Sequence, residues 1–211
     1  MPSLRLIAGP NGSGKTTLTQ LLREDYAVPL GQYLNPDDIA KHIKASDQFT
    51  GNSSSAEKLA QQVAVGLRDD WVRDDLSFTY ESVMSHESHI EFARQAQGSG
   101  YKAYLYYVCV SDAELNKERV AQRVQEGGHD VPEDKIISRY QRSLDNLYTM
   151  LDICRRGFLF DNSTDDMVLL AEVTKDGYLD INEAAYILTQ PYWFQTAVLS
   201  KWDQNKVRII S

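Results

Sequence analysis

The chain has 211 residues, 30 of them acidic and 22 basic, for a formal net charge of −8, with 42% hydrophobic and 25% charged residues. That composition excludes a disordered tail, a collagen-like chain and a disulfide-knitted miniprotein, and the length suits one domain with a buried core. The acidic surplus disfavours a general nucleic-acid coat or a membrane-surface binder, because both need excess Lys and Arg. A polyanionic ligand would have to be met by positive groups concentrated locally.

Residues 3–8 (SLRLIA) predict a short buried strand, followed by a glycine-rich turn and a helical pattern from Lys15. Residues 32–35 predict a second strand, ended by Pro36, and the polar stretch 46–55 a loop. Over residues 56–72 the apolar positions Leu59, Val63, Leu67 and Trp71 fall at helical spacing, predicting an amphipathic helix. A third strand is expected over 76–81, then a helix running to about Gln97 and stopped by Gly98-Ser99-Gly100. The aromatic and β-branched run 101–110 is the strongest strand signal. Helices follow over 112–125 and 132–154, then a short strand over 158–160. Residues 167–173 and 178–181 flank Lys175-Asp176-Gly177 as a hairpin, and the tail from Asn182 reads as helical. Strands alternating with helices imply an α/β fold in three layers with a mostly parallel sheet, closed by a small C-terminal β-hairpin and helix. We expect a single domain over 1–211, with a core of about 3–163 and an appendage of about 164–211.

Several segments give no separate chemistry. Cys109 and Cys154 are far apart and form no metal-spaced set, and the apolar run around Cys109 implies a buried thiol. There is no signal-like N-terminus and no apolar run of membrane-spanning length, so a cytoplasmic, soluble protein that binds neither membrane nor nucleic acid is expected. The segment from Glu172 to Glu183 has the glycine and final glutamate of a calcium loop, but its first position and the strand-like run before it favour a hairpin turn. In the Tyr192-Trp193-Phe194 cluster, core packing is preferred over a partner surface.

The decisive motif is Gly9-Pro10-Asn11-Gly12-Ser13-Gly14-Lys15-Thr16, a full GxxxxGK[ST] match between a strand and a helix. Glycines let successive backbone N–H groups converge on phosphate oxygens, and the helix that follows adds its positive end. Lys15 is expected to reach the β- and γ-phosphates and the Thr16 hydroxyl to ligate Mg²⁺. Asn116-Lys117-Glu118-Arg119 lacks the aspartate of a guanine motif, which favours ATP. No transporter-type LSGGQ signature and no acidic pair of a motor ATPase appear, and Asp112 is better read as a helix cap. A small-molecule kinase fits best.

Such a kinase needs a carboxylate near the acceptor hydroxyl and cations over the transferring phosphoryl group. Asp37 and Asp38 follow the second strand at the sheet edge that carries the phosphate loop; they also suit the first turn of a helix, and the pattern leaves both readings open. Glu81, at the end of the third strand, projects from the same edge or is an ordinary strand-end charge. Arg119 and Arg123 lie on one helical face before the loop Gly127-Gly128-His129-Asp130, whose glycines suit a moving lid. Arg139 and Arg142 form a second pair, weighted lower, and His129 could touch substrate.

GPNGSGKTT (which includes Thr17), NPDD, the strand-end Glu81 and the arginine-bearing lid helix together resemble the zeta-toxin family over about residues 3–163. The characterised members of that family are P-loop kinases that phosphorylate UDP-activated amino sugars. The stretch VQEGGHDVP…RYQRSLDNL…DNS looks like a compact branch often labelled predicted ATPases. The resemblance implies that Asp37 is the general base, Glu81 a substrate-positioning carboxylate beside Asp38, and Arg119 or Arg123 a phosphate clamp. It also implies that Asn162 lies near the adenine end, and it brings an antitoxin protein into view as a partner. Two segments depart from the toxins: Ser82-Val83-Met84-Ser85-His86 replaces a glycine-rich stretch, and Gly-Gly-His replaces a longer arginine-bearing loop. Nucleotide binding therefore transfers and UDP-sugar specificity does not. The expectation is an ATP- and Mg²⁺-dependent kinase acting on the hydroxyl of a small-molecule acceptor. The alternative is an ATP-dependent regulatory or toxin–antitoxin binding module with negligible turnover.

Overall fold

The computed structural model describes residues 1–126 and 131–211. Eight strands form one sheet in the order β2-β3-β1-β4-β5-β6-β7-β8. Its parallel part comprises β1 (Ser3–Ala8), β2 (Gln32–Leu34), β3 (Phe78–Ser82), β4 (Lys102–Cys109) and β5 (Arg156–Asp161). The helices between them are α1 (Lys15–Glu24), α2 (Pro36–Lys44), α3 (Ser53–Arg73), α4 (Ser88–Gly98), α5 (Ala113–Gln125) and α6 (Glu133–Ile153). Then come β6 (Val168–Val173), β7 (Leu179–Asn182), α7 (Glu183–Thr189), α8 (Tyr192–Ala197) and β8 (Val207–Ile210).

Alternation along the strands builds the layers. Leu6, Ala8, Leu105, Tyr107 and Leu159 face one way, toward Phe92 of α4, Leu144 and Leu147 of α6 and Trp193 and Phe194 of α8. Ile7, Tyr106, Val108 and Phe160 face the other way, toward Leu18 and Leu22 of α1. The strands β1 and β4 are therefore covered on both faces, as a parallel sheet requires. All parallel strands end at the same edge, where the β1–α1 turn, the first turn of α2 and the residues after β3 meet. Among the described residues no helix is long and apolar enough to cross a membrane.

Three elements differ from expectation. In α3 the predicted apolar positions Leu59, Val63 and Leu67 are 42%, 38% and 36% exposed, whereas Ala56, Ala60, Ala64 and Arg68 are buried. Small side chains let helices approach closely, and a stripe of alanines competes here with larger residues one position away. Trp71 does pack inward, its ring 5.4 Å from that of Phe78. Second, the helix after β3 begins at Ser88, and Val83 to Glu87 form a loop with buried Met84 in the left-handed region, φ 57°. Third, the tail is not wholly helical: Val207–Ile210 is a strand paired in parallel with β7, with Arg208 forked on Asp180 at 2.6 and 2.7 Å. Its short β-branched run Val-Arg-Ile-Ile was the available signal.

Other readings hold locally. β6 and β7 pair antiparallel across a turn with Gly177 at φ 79°, a hairpin in place of the calcium-loop reading. Asp112 caps α5, its carboxylate accepting from the Leu115 amide at 3.0 Å. Trp193 and Phe194 are buried while Tyr192 is 72% exposed. Both cysteines are buried free thiols; burial raises the Cys109 thiol strongly and takes Cys154 to about 12.

Candidate active site

The phosphate loop runs from the end of β1 into α1. Gly14 N-caps α1 at φ 100°, and no side chain caps the helix, which leaves its first-turn N–H groups pointing outward as an anion would require. Lys15 folds back so that its ammonium donates to the Gly9 and Pro10 carbonyls, each at 3.0 Å. Two glycines are needed for close approach as well as for their positive φ. A Cβ on Gly12 would lie 2.7 Å from the Asn116 carbonyl of α5, and one on Gly14 would lie 2.4 Å from Nδ2 of Asn162. Asn11, Ser13 and Asn116 are buried around the loop, and Asn11 Oδ1, Ser13 Oγ and both amide atoms of Asn116 have no hydrogen-bond partner among the described residues. Thr16 and Thr17 are exposed at the start of α1.

Opposite the loop stands Glu81, 5% exposed at the end of β3. Strand register brings it there: Ile7 pairs with Glu81, and Leu34 with Tyr80. The Tyr33 hydroxyl donates to Glu81 Oε2, and the Thr19 hydroxyl lies 3.4 Å from the same oxygen. Burial raises the Glu81 carboxyl above its usual range; Lys15 and the Tyr33 hydrogen bond oppose that, while Asp37 and Asp38 add to it. Lys15 shows the mirror image. Its ammonium is pushed down by burial, held up by Glu81 and Asp37, and pushed down again by Arg123 and Arg139. Tyr33 is raised by burial and by Glu81.

Asp37 and Asp38 occupy the first turn of α2, where Asn35 Oδ1 accepts the Asp37 amide at 2.9 Å. They are helix-start residues, and their charges also raise the Glu81 carboxyl. Asp37 is exposed, and Asp38 lies 3.4 Å from Lys41 in an exposed pair of little energetic weight.

Arg123 and Arg139, from different helices, both act on Lys15, and Arg119 is half-buried one turn before Arg123. Arg142 is exposed and donates to the Ser138 carbonyl of its own helix at 3.2 Å. His129 lies outside the described residues. Asn162 meets the phosphate loop itself, donating from Nδ2 to the Ser13 carbonyl at 2.9 Å. Sequence reasoning did not single out Tyr33, Thr19 or Asn116. Tyr33 lies two residues before the NPDD motif, a nearness that could have flagged it.

The loop after Glu81 is held from behind. Ser143 and Asn146 of α6 donate to the Val83 and Met84 carbonyls at 2.8 and 3.1 Å. His89 lies 3.0 Å from the Ser82 hydroxyl and 3.3 Å from the Tyr80 hydroxyl, and burial with Arg68 nearby lowers it to about 4, so it is neutral at physiological pH. A cavity of about 260 Å³ between α6 and α8, lined by Tyr140, Leu144, Tyr192 and Trp193 among others, contains no phosphate-loop residue.

Comparison with known proteins points the same way. The sequence model of the family described as Zeta toxin matches residues 1–160. A protein of Haemophilus influenzae, described as uncharacterized, is 30% identical over 132 residues, which is 63% of this chain and 88% of that protein. The crystal structure of AvrRxo1-ORF1:-ORF2 with ATP superposes with a TM-score of 0.68 at 18% identity, covering 90% of this chain and 63% of that one. The PezAT chromosomal toxin–antitoxin system of Streptococcus pneumoniae gives a TM-score of 0.64 at 15% identity, covering 98% and 82%. At these identities the structural matches speak to fold, and the chain spans less than two thirds of the AvrRxo1 chain.

Proposed function

Because the chain belongs to the zeta-toxin family, we propose that it is an ATP-dependent phosphotransferase that moves the γ-phosphoryl group of ATP to a hydroxyl of a small acceptor. The observation that carries this reading is the electrostatic group formed by Lys15, Glu81 and Asp37, with Arg123 and Arg139 acting on the same lysine. A nucleotide store would need the phosphate loop and the cations. It would not need a buried carboxylate, with two more acidic groups acting on it, near the phosphate-loop lysine, where negative charge disfavours an anionic ligand. Acid groups there make sense if a proton must be taken from an acceptor.

The residues fit ATP with Mg²⁺. The loop offers uncapped helix N–H groups and an ammonium, with the unpartnered buried Asn11 Oδ1 and Ser13 Oγ beside them. The exposed Thr16 hydroxyl stands where the metal would be held, and when bound the metal neutralises phosphate charge. Asp37 takes the acceptor proton as the acceptor oxygen forms its bond to γ-phosphorus and the bond to the β-bridging oxygen breaks, leaving ADP. Glu81, fixed by Tyr33, orients the acceptor hydroxyl through its other oxygen. Lys15, Arg123 and Arg139 spread the developing charge.

UDP-activated sugars are the first acceptor class to test, on the family's account, although the Ser82 to His86 loop is this chain's own. The named neighbours are complexes with partner proteins, which supports an antitoxin-like protein as a partner here. The test is incubation with γ-labelled ATP and a panel of UDP-sugars, nucleosides and small polyols. Labelled acceptor that disappears in Lys15→Ala supports the reading. ATP binding with no transfer across the panel favours the regulatory or toxin–antitoxin binding module.

A further inference from the structure

The family match ends at residue 160, and the next two residues join the C-terminal part of the chain to the phosphate loop. Asp161, at the end of β5, is fully buried. One carboxylate oxygen accepts the Ser163 amide at 2.9 Å, and the other accepts the indole N–H of Trp193, from α8, at 2.6 Å. Trp193 is itself buried, its ring 6.0 Å from that of Tyr107 and 5.9 Å from that of Phe194. Between these anchors Asn162 has little freedom: its amide donates to the Cys109 carbonyl at 2.9 Å, and its side chain reaches Ser13.

The geometry of a peptide gives that last bond a consequence. A trans peptide is planar, and its C=O and the following N–H point in opposite directions. With the Ser13 carbonyl tied to Asn162, the Gly14 N–H is turned away from Asn162. Gly14 has no Cβ and adopts φ 100°, so without this bond the peptide is among the easiest in the chain to rotate. A rotated peptide would present a carbonyl, not a donor, to a phosphate.

Resting on the reading of the loop as an ATP site, we infer that Trp193 and Asn162 are positioning residues for the phosphate loop. Trp193 fixes Asp161, Asp161 fixes the turn that carries Asn162, and Asn162 sets the Ser13–Gly14 peptide for phosphate. The C-terminal segment is then part of the nucleotide site although it touches no nucleotide.

The experiment is calorimetric titration of ATP with Mg²⁺ into the whole chain, well below its unfolding temperature, for wild type, Asn162→Ala, Trp193→Phe and the double variant. Tyr192→Ala, an exposed neighbour on α8, is the control. Loss of one orienting hydrogen bond predicts affinity weaker by about tenfold for Asn162→Ala. Trp193→Phe should weaken it by a smaller factor, because the indole acts through Asp161. The double variant should bind no worse than Asn162→Ala, since both act on one link. Hydrogen exchange at the Leu18 amide, which is bonded to the Gly14 carbonyl at 2.9 Å, reads the loop without ATP and should quicken in both single variants.

A purely structural role would lower the unfolding temperature of Trp193→Phe and leave the affinity and the loop exchange unchanged. Unchanged affinity in Asn162→Ala, or fully additive effects in the double variant, would overturn the inference. If Trp193→Phe does not fold, Asp161→Asn tests the same step. If wild type binds no ATP, the proposed function falls, and the exchange measurement still decides this link.

Discussion

Replacing Tyr33, half-buried in the middle of β2, by phenylalanine removes one hydroxyl and leaves the ring in place. The hydroxyl donates to Glu81 Oε2. The other nearby donor, Thr19, has one proton, and it is better used 3.0 Å away on the Lys15 carbonyl than 3.4 Å away on Glu81. Glu81 would keep its burial and lose its strong donor. A hydrogen bond to a charged group contributes about 1.5–3 kcal/mol, so the variant should be less stable by about that much at neutral pH. For a chain of this size that corresponds to a fall in Tm of roughly 3–12 °C.

The pH dependence follows from the direction of the Glu81 shift. Its carboxyl is raised chiefly by burial, and the Tyr33 bond is one of the forces holding it down. A raised carboxyl costs stability above its ordinary range, and the cost is relieved as pH falls through the folded value and the group protonates. Tyr33 favours the ionised form, so the penalty of Tyr33→Phe should be greatest near neutrality and shrink on acidification. Urea denaturation of both proteins over a pH series measures this. A variant as stable as wild type at neutral pH, or a difference that stays constant into acid, would refute the reasoning.

His89 is lowered to about 4 from an ordinary 6.5, so the native state resists a proton that the unfolded chain accepts. Wild type should lose roughly 3 kcal/mol between those pH values, and His89→Gln should lack that part of the acid slope in chemical denaturation. Arg139→Ala should lower phosphate transfer by about 10²–10³ with ATP affinity less affected, whereas Arg142→Ala, already bonded to its own helix, should transfer at nearly the wild-type rate. Gly14→Ala should both destabilise the chain and abolish ATP binding, because the added methyl meets Asn162 and the backbone is left-handed; calorimetry and thermal melts read the two effects.

The phosphate loop and the strand–helix alternation were legible because their causes are local: glycine at fixed offsets, a β-branched run, a cap. The β4 run from Lys102 to Cys109 needs no distant partner to be recognised. The inward face of α3 was misread because Leu59, Val63 and Leu67 outrank alanine in hydrophobicity, while close packing selects small residues. Glu81 could be placed at the loop's edge from its strand end, yet its bond to Tyr33 spans 48 residues and depends on the β2–β3 register. The choice between Arg119 and Arg139 likewise depends on how α5 and α6 approach Lys15, which spacing within one helix does not contain. The bond from Asn162 to the Ser13 carbonyl, a contact across 149 residues, is equally out of reach of local spacing.

The central claim is that the carboxylates beside Lys15 serve transfer and not storage. The most direct test compares Asp37→Asn with wild type in two measurements on the same preparation: the ATP dissociation constant and the rate of label transfer to whichever acceptor the panel identifies. The account predicts ATP binding within about twofold of wild type and transfer reduced by 10²-fold or more, as befits loss of a general base. Transfer at the wild-type rate in Asp37→Asn would contradict it.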